Sequence, residues 1–324
     1  MSPAARAPAI EHITHEGQPA VRLSLPDGSH ATVLLHGAHV VSWHAAKRGE
    51  QLYLSPLANL PELQPGQAVR GGVPVIFPQF NQRGPDTNAP RHGFARHRAW
   101  QVESTNASQT HALVTLALDD DAETRALWPH AFTLELTVSL AAERLDIELY
   151  VLNPEDSPQA DTWSFTGALH TYLAVSELPQ IRLQGLDGCR FEDAITGGEH
   201  IEDHPEKRFS GEIDRIYTGV PGSLLLRDGT RQLTLERSGF EDVVVWNPGP
   251  DQCARLKDML DDHWERMLCV EAVQLMNPPT LAPGESWTGR QGLVLPYQSA
   301  LFLRDRWSSL LPSASPLWIA QHKL

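Results

Sequence analysis

Cysteine is scarce in this chain: three residues, Cys189, Cys253 and Cys269, occur among 324, and none falls in a CxxC spacing. An odd, dispersed set of thiols argues against a disulfide framework and a structural zinc site, so buried or free thiols are expected. Long apolar runs are missing too, which excludes a helical membrane span. The first residues, MSPAARAPAIEH, lack the apolar segment of a secretory signal, so a cytoplasmic protein with no membrane association is expected. Positive charge is in deficit. Lys and Arg number 26 against 40 Asp and Glu, a formal charge of −14, and nonspecific nucleic-acid binding needs the opposite balance. There is no GxSxG elbow, Walker loop, HExxH or GxGxxG, which removes the usual support for acyl transfer, nucleotide hydrolysis, zinc proteolysis and dinucleotide redox chemistry. The fifteen histidines are scattered rather than set at ligand spacing, so neither a metal nor a cofactor is expected.

What is abundant is short β-like segments. Runs rich in Val, Leu, Thr, Phe and Tyr end at Gly, Pro, Asn or Asp turns, as in 30–36, 38–44, 112–118, 132–140, 145–152, 164–175, 223–226, 232–236, 242–246, 267–274 and 289–295. SLLLRDGTRQLTLE centres an Asp-Gly between two such runs and predicts a tight hairpin. Helical spacing is confined to 120–128 and 253–264. Many strands without regular βαβ alternation point to an all-β fold of stacked antiparallel sheets with few short helices. No linker or repeat divides the chain, so one domain over 1–298 is expected. The segment 299–324 follows the last core strand as an extension whose role the sequence does not decide.

The densest chemistry lies in RGGVPVIFPQFNQRGPDTNAPRHGFARHRAW, residues 70 to 100. From Arg70 to Arg98 it holds five arginines and two histidines against one acid, Asp86, a local cationic patch on an acidic protein. Screening over about 8 Å lets such a patch attract an anion despite the net charge. The alternative is a surface loop whose arginines are merely solvated. His170, in SFTGALHTYLAV, shares a strand face with Thr166, Ala168 and Tyr172, opposite Phe165, Leu169 and Leu173. It is either a satisfied core histidine or an acid–base group. Glu271 interrupts the apolar run MLCVEAVQL, where desolvation raises a carboxyl toward the range of a general base. The alternative there is a buried ion pair with an arginine. Asp214, Tyr217, Trp246 and Asn247 are weaker candidates for holding a polar ligand.

Taken in order, RGGVPVIFPQF, RHGFARHRAW, ALHTYLAVSEL, IDRIYT, VVVWNPG and CVEAVQL resemble the hexose-6-phosphate 1-epimerases of the aldose 1-epimerase superfamily, over about residues 20 to 296. The resemblance implies a large antiparallel β-sandwich, the galactose mutarotase-like supersandwich, with an open sugar-binding face. It implies that His170 is the general acid and Glu271 the general base. It also implies that Arg70 and Arg96 bind phosphate and that His92 and Asp214 hold sugar hydroxyls. Gln79, Asn81 and the segment AVQLMNPP depart from the commoner family pattern, which bears on substrate preference.

The expected activity is therefore interconversion of the α and β anomers of a hexose 6-phosphate by ring opening and reclosure, in a monomer or weak homo-oligomer. Such chemistry calls for His170 and Glu271 on one concave surface, within a sugar ring's width and reaching opposite sides of the ring, with Arg70 and Arg96 converging at its edge. Two rivals remain from the sequence: a noncatalytic carbohydrate-binding module, and an epimerase of a neutral or sulfonated aldose.

Overall fold

The structure, a computed structural model, describes residues 8–64, 66–84, 90–155 and 161–296, so the expected extension 299–324 lies outside the described residues. Strict alternation builds the plainest part. Thr133–Ala141 and Arg144–Leu152 each bury every second residue and pair antiparallel along their whole length. They sit within a nine-stranded sheet that runs Glu206–Arg208, Arg182–Gln184, Leu224–Asp228, Arg231–Ser238, Ser286–Val294, Arg144–Leu152, Thr133–Ala141, His111–Asp119 and Gln101–Ala107. A five-stranded antiparallel meander is formed by the chain from Ala9–His15 to Gly49–Glu50.

An eight-stranded sheet carries the chemistry. It runs Glu199–Ile201, Arg190–Asp193, Ile213–Thr218, Asp242–Asn247, Met267–Gln274, Gly167–Leu169 and Val75–Ile76, with Tyr172–Ala174 also paired to Met267–Gln274. One face of it, including Val243, Val245, Leu268, Val270 and Ala272, shares a core with Leu134, Leu136, Ile147 and Leu293 of the nine-stranded sheet. Each such side chain contributes roughly 1.5–3 kcal/mol by leaving water. Its other face carries Ala168, Ile216, Val244 and Val273, and around these the polar residues of the site are set. Met267–Gln274 is thus buried on both faces along all of its length.

Two expectations about local structure change. The continuous strand expected over 164–175 is split into Trp163–Ser164, Gly167–Leu169 and Tyr172–Ala174. The chain kinks at Thr171, whose N–H donates to the carbonyl of Leu169 at 3.0 Å and whose hydroxyl donates to the buried Gln291 amide oxygen of the other sheet. The two faces nonetheless alternate as expected: Phe165, Leu169 and Leu173 enter the inter-sheet core, and Tyr172 turns the other way. The helix expected over 253–264 is instead Gly249–Cys253, a run of turns, and a short 3-10 segment, His263–Arg266. Leu256, Met259 and Leu260 do not share a face: Leu256 borders the cleft described below, Met259 is buried and Leu260 is half exposed. The other helix forms, shortened to Ala122–Leu127, because Asp121 and Thr124 make a reciprocal capping box. In the expected hairpin Asp228 pairs with Arg231, so the turn residues are Gly229 and Thr230, with Gly229 at φ 59°.

Candidate active site

Register across the eight-stranded sheet assembles the site. Asp214 lies opposite Trp246, Trp246 opposite Cys269, and Cys269 opposite Tyr172, while Val244 lies opposite Glu271. Because strand side chains alternate, Asp214, Trp246, Glu271 and Tyr172 all emerge on the face away from the inter-sheet core. The kink at Thr171 adds His170, whose own N–H is tied to the carbonyl of Pro74 at 3.0 Å. These residues floor a cleft of about 250 Å³ whose walls include Phe80, Arg70, Arg91, His92 and Arg96.

At its floor His170 Nδ1 stands 3.4 Å from Glu271 Oε1. Both groups are buried, Glu271 to 1% exposure. The imidazole is stacked on Tyr172 at 4.8 Å and meets His92 edge-on at 5.8 Å, so its plane is fixed. Glu271 Oε2 has no hydrogen-bond partner, an uncommon condition for a buried carboxyl oxygen. Burial, with the field of Asp214, pushes the Glu271 carboxyl well above its ordinary range. Burial, with the fields of His92, Arg96 and Arg70, holds His170 well below its own. Both groups are driven toward their neutral forms, and moving one proton from Glu271 to His170 gives the charged pair.

The loop 70–100 supplies the walls because its backbone takes conformations that most residues avoid. Gly72 has φ 62°, and a Cβ there would lie 2.3 Å from the carbonyl of Val40 and 2.8 Å from Nε2 of the buried His39. Gly93 has φ 65°, and a Cβ there would lie 2.0 Å from the carbonyl of Phe77, which accepts from the N–H groups of Phe94 and Ala95. His92, just before it, is itself left-handed at φ 63°, a costly conformation for a residue with a side chain, and its Nδ1 accepts from the N–H of Asn81 at 3.2 Å. Desolvation and the neighbouring arginines lower His92 to about 3, so it meets a ligand as a neutral ring. Arg96 is carried by the turn Ala95–His97, braced by the Trp100 indole N–H donating to the carbonyl of Ala95 at 3.0 Å.

A family model described as aldose 1-epimerase matches residues 19–293, most of the chain. The chain belongs to the aldose 1-epimerase family. A relative from Cenchrus ciliaris, provisionally named glucose-6-phosphate 1-epimerase, is 32% identical over 271 residues, 81% of this chain and 80% of that one. An Escherichia coli relative with the same provisional name is 33% identical over 244 residues, 74% of this chain and 78% of that one. Among solved structures, one described provisionally as a mutarotase from Salmonella typhimurium superposes with a TM-score of 0.79 at 26% identity, covering 92% of this chain and 96% of that one. A galactose mutarotase-like protein from Clostridium acetobutylicum, 17% identical, has the same fold, with a TM-score of 0.71 and coverage of 90% and 99%.

Within this epimerase-family cleft all six residues singled out from the sequence, Arg70, His92, Arg96, His170, Asp214 and Glu271, line one cavity. Several details differ from expectation. The buried partner of Glu271 is His170, not an arginine. The two groups lie 3.4 Å apart, within the ring's width expected, but together at the floor of the cleft rather than on opposite sides of it. Of the five arginines, Arg83 is spent on Glu192, and Arg98 on Asp121 and Glu123. Arg70 is shared, donating to Asp258 Oδ2 at 3.2 Å and to the Tyr172 hydroxyl at 3.0 Å. Arg96 Nε is buried without a partner, and Arg91 donates to Asn81 Oδ1 at 3.0 Å; among the described residues neither has a carboxylate partner. Tyr217 and Asn247 are structural: the phenol donates to Glu202 at 2.8 Å, and the Asn247 amide donates to the carbonyls of Trp264 and Met267 at 2.8 Å. Tyr172, Phe80 and Gln252 also line the cleft; Tyr172 was readable as the next outward residue after His170, the other two were not.

Proposed function

We propose that this chain is a hexose-6-phosphate mutarotase, with glucose 6-phosphate as the first substrate to test. The observation that carries the reading is the contacting His170–Glu271 pair at the floor of a cleft walled by arginines. The names of the 32% and 33% identical relatives point the same way.

The anomeric hydroxyl oxygen and the ring oxygen of an aldopyranose share one carbon, so an acid and a base in mutual contact reach both. With the shared proton on His170, the Glu271 carboxylate takes the proton of the C1 hydroxyl while the imidazolium gives its proton to the ring oxygen. The bond from C1 to the ring oxygen breaks and the C1 carbonyl forms. The aldehyde turns about C1–C2, and the ring closes with the two roles reversed. Each positioned group supplies about 10²–10⁴-fold. Arg96 and Arg91 offer planar donors for the phosphate, with Arg70 in part engaged by Asp258. Asp214, raised to about 6 by burial, and neutral His92 are set to bond sugar hydroxyls.

The unpartnered Glu271 oxygen favours catalysis over simple sugar binding, since a neutral amide would bind hydroxyls at lower desolvation cost. Anomer-exchange NMR with glucose 6-phosphate, galactose 6-phosphate and glucose tests the reading. Fast exchange of a phosphate ester and slow exchange of glucose are expected. Exchange of none of them would leave a binding module.

A further inference from the structure

Beneath the acid–base pair lies a third ligand-bearing side chain that the reaction does not use. Cys269 and Glu271 stand two residues apart on the same face of Met267–Gln274, and Cys269 is wholly buried against Tyr172. One ligand atom each from His170, Cys269 and Glu271 lies within 4.8 Å of the other two. Two atoms of this group, His170 Nδ1 and Glu271 Oε2, are buried without hydrogen-bond partners. We propose that His170, Cys269 and Glu271 form a binding site for a thiophilic divalent cation, Zn²⁺ above all, and that its occupation blocks anomer exchange.

The donor set is a thiolate, an imidazole and a carboxylate, a combination that selects zinc over magnesium or calcium. Zinc bonds of about 2.0–2.3 Å place tetrahedral ligands roughly 3.3–3.8 Å apart. His170 and Glu271 already meet that spacing at 3.4 Å, and a ligand atom of Cys269 lies within 4.8 Å of both. His170 and Glu271 line the cleft, from which a fourth ligand can enter. Charge also balances: the thiol proton and the proton held by the pair leave to solvent, and Zn²⁺ with one thiolate and one carboxylate is neutral in a buried place. The cation is not needed for exchange; it takes the place of the proton that exchange requires. The blocking effect rests on the proposed mutarotase reaction, whereas the binding itself does not.

The test is a Co²⁺ titration of the substrate-free protein, read by thiolate-to-cobalt charge-transfer absorption, with Zn²⁺ affinity measured by calorimetry. A band is expected in the wild type and in Cys253→Ser but not in Cys269→Ser, whose Zn²⁺ affinity should fall at least about a hundredfold, more than loss of an outer partner costs. Cys269→Ser should keep exchange near wild type without metal and lose its inhibition by Zn²⁺. Cys269→Ala serves if the serine variant does not fold. Absence of the band in the wild type, or its survival in both Cys269 variants, overturns the site. A band in a protein that exchanges no sugar retains the metal site and overturns the mutarotase reading; exchange unaffected by bound Zn²⁺ overturns the inhibition.

Discussion

Two buried glutamates in this molecule are opposites. Glu202, 3% exposed, accepts from the Tyr217 hydroxyl at 2.8 Å and from Arg215 at 3.2 Å, with Lys207 at 3.3 Å. Its neighbour Asp193 accepts from the same Arg215 at 3.0 Å. Glu271, 1% exposed, has a histidine at 3.4 Å and one oxygen with nothing. Burial alone therefore does not mark a working carboxylate. Compensation does: the first glutamate is held by a tyrosine hydroxyl and two cations, and the second is kept short of partners, as a group that must exchange a proton requires.

The sharpest way to break this contrast is one substitution made at both places. Glu271→Gln should slow anomer exchange by about 10²–10⁴-fold with the melting temperature nearly unchanged, and His170→Asn should do the same. Glu202→Gln should leave exchange near wild type while costing about 1.5–3 kcal/mol in denaturant unfolding, because Arg215 and Lys207 lose their charged acceptor. Near-normal exchange in Glu271→Gln would end the assignment of that residue.

The same contrast separates the arginines. Arg96→Ala should raise KM for glucose 6-phosphate by about 10–100-fold with little change in kcat or in glucose exchange, since a charge-assisted contact of this kind contributes about 1.5–3 kcal/mol. Arg70→Ala should have a smaller effect, because Asp258 already shares that guanidinium, and Arg83→Ala should have almost none. Equal losses on glucose and its phosphate would make Arg96 a structural brace.

The smallest expected effect is on stability against pH. Burial raises Asp214 from 3.8 to about 6 in the folded protein, so between about pH 4 and 6 the native state holds more protons than the unfolded one. The Asp214 contribution is therefore present in full below about pH 4 and is lost as pH rises to about 6. Asp214→Asn should remove that dependence and raise the melting temperature at pH 7 by a few degrees. An unchanged pH profile of unfolding would show that Asp214 is not desolvated.

Much of this was legible in the sequence, for reasons that particular residues make plain. Alternation in Thr133–Ala141 and Arg144–Leu152 follows from one face meeting a core and the other water. Glu271 stood out because it interrupts an apolar run, whereas Glu202 lies in the polar run HIEDHPEK, which carries no sign of its burial. The kink at Thr171 was hidden because the partner of its hydroxyl, Gln291, lies on another sheet. The helix misread over 253–264 shows that spacing alone does not specify a shared face.

By itself, then, the sequence determined the all-β class and the faces of its strands, because side-chain period is written along the chain, and it marked His170 and Glu271 by their apolar surroundings; Arg70, His92, Arg96 and Asp214 were singled out through the motifs that resemble a known family. The tertiary structure decided which charge meets which. Register between distant strands set Asp214 beside Trp246 and Glu271 beside Val244, the kink at Thr171 delivered His170 to Glu271, and the loop's left-handed turns sent three arginines inward and two to surface acids. Electrostatic energies depend on distance and burial in space, and neither is a property of sequence neighbours.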